Sequence, residues 1–237
     1  MAGYRVKESN SERLLGVIVN INMTWQNHIH GDSQNTGLLA KLEQRSAMIK
    51  KLSSVMPAPR LKQIAQGIFF SLLDYCIEVY GNTWGLDTLD ANSRHSSAFR
   101  QEDCKRIQVV VNKVLRTLLN MDKDTPTAIL CASAGQLSVH QRVAFSTLCS
   151  VFKIINTGKP KYSYELLKSQ IAKCPRLVNQ YNCRRVDYNF SITRDSFIYR
   201  GSRLFNMIPA SLAQSPNMKI FKKEAKSWVL KSILLQP

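Results

Sequence analysis

Apolar residues recur at three- and four-residue spacing along most of this chain, which predicts a mainly helical fold. Residues 36–56 place Leu38, Leu42, Ile49, Leu52 and Met56 on one face, with Lys41, Glu43, Lys50 and Lys51 between them, and Pro57-Ala58-Pro59 stops the pattern. A second helix over about 60–80 has the cleanest stripe: Leu61, Ile64, Ala65, Ile68, Phe69, Leu72, Leu73, Cys76, Ile77 and Tyr80, with Gly81 as its C-cap. After a loop over 82–101, residues 102–120 carry Ile107, Val110, Val111, Val114, Leu115, Leu118 and Leu119 inward. Pro126 opens a short helix over 126–133, and Ser138 caps a longer one running to about 156, ended by Gly158-Lys159-Pro160. A last helix over about 217–234 turns Met218, Phe221, Ala225, Trp228, Val229 and Ile233 inward.

Two stretches break this period. Leu14-Leu15-Gly16-Val17-Ile18-Val19 is a continuous apolar run, which reads as one strand buried on both faces. It has no visible partner strand, so it is expected to be orphaned from a sheet outside the chain. Residues 176–200 are basic, aromatic and weakly alternating (Val186, Tyr188, Phe190, Ile192), which reads as extended structure or a loose hairpin. The expected organisation is a disordered N-terminus (1–12), a residual strand and its exit (13–30), a helical bundle (31–172) and a basic C-terminal region ending in a helix (173–237).

Charge adds a functional expectation to this helical picture. The 237 residues hold 33 Lys+Arg against 16 Asp+Glu, a net of +17. Residues 1–100 hold 11 basic and 8 acidic residues, whereas residues 101–237 hold 22 and 8. Such a charge self-repels unless an anionic partner offsets it, and nucleic-acid phosphates are the usual polyanion. A plain basic surface without a dedicated ligand is the competing reading. Residues 1–15 are too polar for a secretory signal, and no apolar stretch reaches the length of a membrane span. An intracellular location is expected, with RNA or DNA as partner and neither a membrane nor a small-molecule substrate. Six cysteines without a C-x-x-C pair fit buried free thiols rather than disulfides.

Catalytic constellations are missing. No Asp-Asp pair occurs, and the sixteen acids are scattered, unlike the clustered carboxylates of two-metal enzymes. Asp122 and Asp124 read as loop punctuation. His28-Ile29-His30 with Asp32 would put two imidazoles on one face of a strand, but no fourth zinc ligand is identifiable. Cys174 and Cys183 lack a matching Cys/His pair, and the ten glycines form no phosphate loop. No catalytic residue, metal ligand or cofactor is therefore assigned. What remains is basic clusters with interleaved aromatics, densest from Tyr181 to Arg203. There guanidinium groups could hold phosphates while rings stack on bases, or the rings could simply be core.

Four blocks in order carry a family resemblance. They are Arg13-Leu14-Leu15-Gly16-Val17 with Thr24-Trp25-Gln26-Asn27-His28-Ile29; Gly67-Ile68-Phe69-Phe70-Ser71 through Tyr80-Gly81; Ile107-Gln108-Val109-Val110-Val111-Asn112-Lys113-Val114-Leu115-Arg116 followed by Thr125-Pro126 and Leu137-Ser138-Val139-His140-Gln141; and Arg203-Leu204-Phe205-Asn206-Met207-Ile208-Pro209 with Phe221-Lys222-Lys223. Together they resemble the region after the catalytic palm in reverse transcriptases of non-LTR (LINE-type) retrotransposons. Phe205 stands where that family often has Trp. The resemblance implies a helical, thumb-like bundle that grips a template–primer duplex, and a palm partner holding the metal-binding aspartates upstream of the Leu-Gly-Val strand. It therefore implies sequence-independent backbone binding without polymerase activity in this chain. The contacts expected are Lys50 and Lys51, Arg60 and Lys62, Lys105 and Arg106, Lys113 and Arg116, Arg184 and Arg185, and Arg200 and Arg203. Two alternatives stay open: a non-functional product of a truncated element, and a domesticated helical interaction or scaffold protein.

Overall fold

The computed structural model describes residues 9–22, 24–81, 101–168 and 196–231. It is mainly helical, with a small two-stranded sheet near the N-terminus and helices at the C-terminal end. The expected loop over 82–101 and the basic stretch 176–195 fall, but for Gln101, outside the described residues, as do residues 1–8.

The N-terminal run is not one strand. Strands β1 (Ser11–Leu14) and β2 (Val17–Asn20) pair antiparallel, with Leu14 opposite Val17 and Ser11 opposite Asn20. Leu15 (φ 48°) and Gly16 (φ 88°) form the two-residue loop between them. Two successive positive φ values give the turn whose twist matches that of a hairpin. The expected orphan strand thus has a partner in its own chain. Nor is it buried on both faces: Val17 and Ile18 are buried, whereas Leu14 and Leu15 are 65% and 83% exposed. Tyr75 stabilises the unusual turn, since its hydroxyl donates to the Leu15 carbonyl at 2.6 Å and its ring lies against Gly16.

The chain continues through α1 (Gln26–His30), α2 (Leu38–Leu52) and α3 (Ala58–Ala65). His28 and His30 are therefore helical, not on a strand face. The second predicted helix is interrupted twice. A π turn spans Gln66–Phe70, then α4 (Ser71–Asp74) ends where Tyr75 becomes extended and Cys76 adopts φ 54°. This break aims Tyr75 at the hairpin and restarts the chain as α5 (Ile77–Tyr80). Gly81 does cap this last turn, but for closeness rather than handedness: a Cβ there would stand 2.4 Å from the Ile77 carbonyl oxygen and 2.6 Å from Val143.

Helices α6 (Gln101–Leu119), α7 (Thr127–Ala134) and α8 (Val139–Thr157) follow the predicted pattern. Ser138 and Gln141 form a reciprocal capping box at the start of α8, satisfying two otherwise unpaired backbone donors. Next come α9 (Lys161–Lys168), α10 (Phe197–Phe205), α11 (Ala210–Ala213) and α12 (Met218–Lys231). Residues 196–200, expected to be extended, start α10: the Ser196 hydroxyl accepts from the Tyr199 N–H, and the two-residue alternation gives way to a helical face. The expected boundary at 172–173 and Ile233 lie outside the described residues.

Two apolar clusters meet on opposite faces of α8. Val139 and Val143 join Leu42, Phe69, Phe70, Leu73, Ile77, Ile107, Val111 and Leu115 in the first. Ala144, Leu148, Val151 and Phe152 join Leu204, Phe205, Phe221, Ala225 and Val229 in the second. The Phe152 and Phe221 rings stack at 3.9 Å, pinning α12 to α8. Helix α10 approaches α8 through Gly201, where a Cβ would meet Val151 at 2.7 Å. Among the described residues no helix is long and apolar enough to cross a membrane.

Candidate nucleic-acid interface

Helices α2 and α6 pack side by side and leave a groove of about 800 Å³ on their outer flank. Helical spacing builds each wall. Glu43, Ser46, Ala47 and Lys50 lie three or four residues apart on α2, and Val110, Lys113 and Thr117 do so on α6, with Arg116 beside them. Lys123, in the loop after α6, also lines the groove. Four cations, Lys50, Lys113, Arg116 and Lys123, thus converge on one channel, against one carboxylate, Glu43. The lining residues include no aromatic ring.

Arg116 is partly committed to structure. Its Nη2 donates to the Thr125 carbonyl at 3.1 Å, and its Nε is buried without a hydrogen-bond partner. A buried unsatisfied donor is costly, so an anion that draws the guanidinium outward would relieve it. Lys50, Lys113 and Lys123 are exposed and reach solvent over the groove.

The other expected contacts scatter. Lys51, Arg60 and Lys62 are exposed but do not line the groove. Lys105 and Arg106 are exposed near the start of α6, where Arg106 pairs with Glu102 at 2.7 Å. Arg184 and Arg185 lie outside the described residues. Arg200 is a correction. It is buried, and its guanidinium donates to the carbonyls of Gly81, Glu78 (3.3 Å) and Val79 (3.2 Å). A cation on the last carbonyls of α5 complements the negative end of that short helix, so Arg200 fastens α10 to α5 and is withdrawn from any ligand. Arg203 is half-buried, donating to the Tyr199 hydroxyl at 2.6 Å with its guanidinium 5.4 Å from the Tyr199 ring centre.

Two residues of consequence escaped the sequence reading. Lys123 sits between Asp122 and Asp124 in a segment whose acidic pattern reads as loop punctuation. Arg142 looks like one more surface cation of α8. Instead it is buried, with Nη1 on both Asp74 oxygens at 2.8 Å, Nε on the Leu137 carbonyl at 3.1 Å, Nη2 on Gln136, and its plane 4.5 Å from the Phe70 ring centre. Only the three-residue spacing of Val139, Arg142 and Phe145 hinted at an inward position.

Several buried ionisable groups serve the fold. His28 Nδ1 accepts from the Ile18 N–H at 3.4 Å, and its ring tilts against Tyr80. Burial, helped by the nearby Lys41 charge, lowers its pKa from 6.5 to about 4. His30 Nε2 lies 2.7 Å from the buried Asp103 carboxylate, which also accepts from Gln26. Burial raises the Cys104 thiol to about 12 and the Cys149 thiol to about 11, so both stay protonated and poorly nucleophilic. Among the described residues no three His, Cys, Asp or Glu side chains are grouped to hold a metal.

No protein-family model, no curated protein and no solved structure matches this chain.

Proposed function

We propose that this chain binds nucleic acid through its phosphate backbone in the α2–α6 groove, as a post-palm fragment of a non-LTR reverse transcriptase would bind a template–primer duplex. The observation that carries the proposal is the convergence of Lys50, Lys113, Arg116 and Lys123 on one channel without an aromatic ring. Cations without stacking platforms suit phosphates rather than bases, so recognition is independent of sequence. The chain's role in this reading is grip, not chemistry. The surplus of positive charge in residues 101–237 extends the attraction beyond the groove.

The test is fluorescence anisotropy on a primed RNA template over a range of salt concentrations. Each phosphate neutralised contributes about 0.9 to the slope of log affinity against log salt. The triple variant Lys50→Gln, Lys113→Gln, Lys123→Gln should flatten the slope by about 3 and weaken binding equally on unrelated sequences. Absence of binding at low salt, or a slope unchanged in the triple variant, rejects the proposal.

A further inference from the structure

A second cleft, of about 350 Å³, lies where α4, α5, α8 and α12 meet. Its size is at the lower end of the range of small-molecule sites. Three features define it. Its lining includes the apolar side chains of Ile77, Leu137 and Phe145. Its ion pair is half-exposed: the buried Arg142 is held by Asp74, Leu137 and Gln136, and both Asp74 oxygens accept from Arg142, which neutralises a carboxylate that is itself 41% exposed. Its lip is cationic. Lys222 and Lys226 stand one turn apart on α12, both exposed, and the Lys226 ammonium is positioned over the α7 end by a 3.0 Å bond to the Gly135 carbonyl.

Arg142 and Asp74 cancel, so the two lysines set the sign of the site. An ammonium with three donors spends one on Gly135 and keeps two for an anion. Phe145, half-buried, lines the same cleft. At its edge the Gln136 amide donates to Gln66 at 3.5 Å and accepts from Arg142, and the Ser146 hydroxyl donates to Glu78 at 2.8 Å, so a ligand would meet the Gln66 N–H groups and the lone pairs of the Ser146 oxygen. An anionic head with a planar, polar-edged body therefore matches lip and lining together, whereas inorganic phosphate would fill only the lip.

We propose that this cleft is a binding site for a nucleoside monophosphate unit, its phosphate on Lys222 and Lys226 and its base against Phe145. The unit is either a free nucleotide or the 5′-terminal nucleotide of a strand. The site does not depend on the reading of the α2–α6 groove, because it shares no residue with it.

Isothermal titration of the full chain with a nucleoside monophosphate, the matching nucleoside and inorganic phosphate tests this. The monophosphate should bind saturably at one site, and the other two about tenfold or more weakly, since each lacks one half of the match. The exposed double variant Lys222→Gln, Lys226→Gln should lose about tenfold or more in affinity. The groove variant Lys50→Gln, Lys113→Gln, Lys123→Gln should leave this binding unchanged while losing its salt-dependent grip on the duplex. Competition by a 5′-phosphorylated oligonucleotide, but not by its 5′-hydroxyl form, would assign the site to a strand end. Failure of both to compete would assign it to a free nucleotide. No saturable binding, equal binding of inorganic phosphate, or an undiminished affinity in the double variant overturns the proposal.

Discussion

Protonating His28 should destabilise the folded chain. The ring is buried between the hairpin and Tyr80, accepts the Ile18 N–H, and faces the positive charge of Lys41, so its folded pKa falls from 6.5 to about 4. Above pH 6.5 the imidazole is neutral in both folded and unfolded chains, and its contribution to stability is complete. As pH falls below 6.5 the unfolded chain takes up the proton first, which favours unfolding. The loss is about 1.4 kcal/mol per pH unit across that interval, about 3 kcal/mol in all, and it stops growing below pH 4. The variant His28→Asn keeps an acceptor at the same bond separation from Cα and removes the titration. Urea unfolding followed by circular dichroism at pH 7, 6, 5 and 4 gives the stability difference between the parent and the variant. That difference should shift against the parent by about 3 kcal/mol between pH 7 and 4. His140, whose pKa burial also lowers, is common to both proteins and drops out of the comparison. A difference that stays constant with pH would refute the reasoning, because it would mean that protonation of His28 costs the folded state nothing.

Further outcomes follow from the contacts that hold α8 at the centre. Arg200→Ala should lower stability by about 2–3 kcal/mol, through two α5 carbonyls and that of the capping Gly81 losing a charged donor, while leaving the salt dependence of nucleic-acid binding intact; denaturation and anisotropy on the same sample check both. Phe221→Ala removes the ring stacked on Phe152 and should cost about 3–5 kcal/mol in chemical denaturation. Gly201→Val drives a side chain into Val151 and should cost about 1–3 kcal/mol, read as a fall in the denaturation midpoint. Ser138→Ala removes half of the capping box and should cost about 1 kcal/mol by the same measurement.

The groove and the core differ in how they could be read from the chain. Lys50 and Lys113 were legible because each sits on the polar face of a strongly periodic helix, and a lysine there has nowhere to go but solvent. That they face the same channel follows from the packing of α2 on α6, which no local pattern specifies. The helix over 101–119 shows a further layer. Gln108 accepts from the Val139 N–H, Asn112 donates to Thr127, and Arg116 donates to the Thr125 carbonyl. The polar residues of the resembling Gln-Asn-Arg pattern thus bracket the α6–α7–α8 connections, a role invisible without those partners.

The helical class, the inward faces of α2, α6 and α12, the Ser138 cap and the stop at Gly158 are readable from the chain alone, because each depends on neighbours within a few residues. Tertiary structure decided the rest. Leu15 occupies a positive φ beside Gly16, where Tyr75, sixty residues away, bonds its carbonyl. The second helix breaks at Cys76, where the chain turns Tyr75 toward that hairpin. Arg142 and Arg200, which their charge alone assigns to solvent, are buried because Asp74 and the carbonyls of α5 and Gly81, 68 and 119–122 residues away, supply the acceptors that make burial of a guanidinium affordable. Periodicity is a local property and survives translation into structure. Compensation of a buried charge is a property of distant partners, and only the fold brings them within hydrogen-bonding distance.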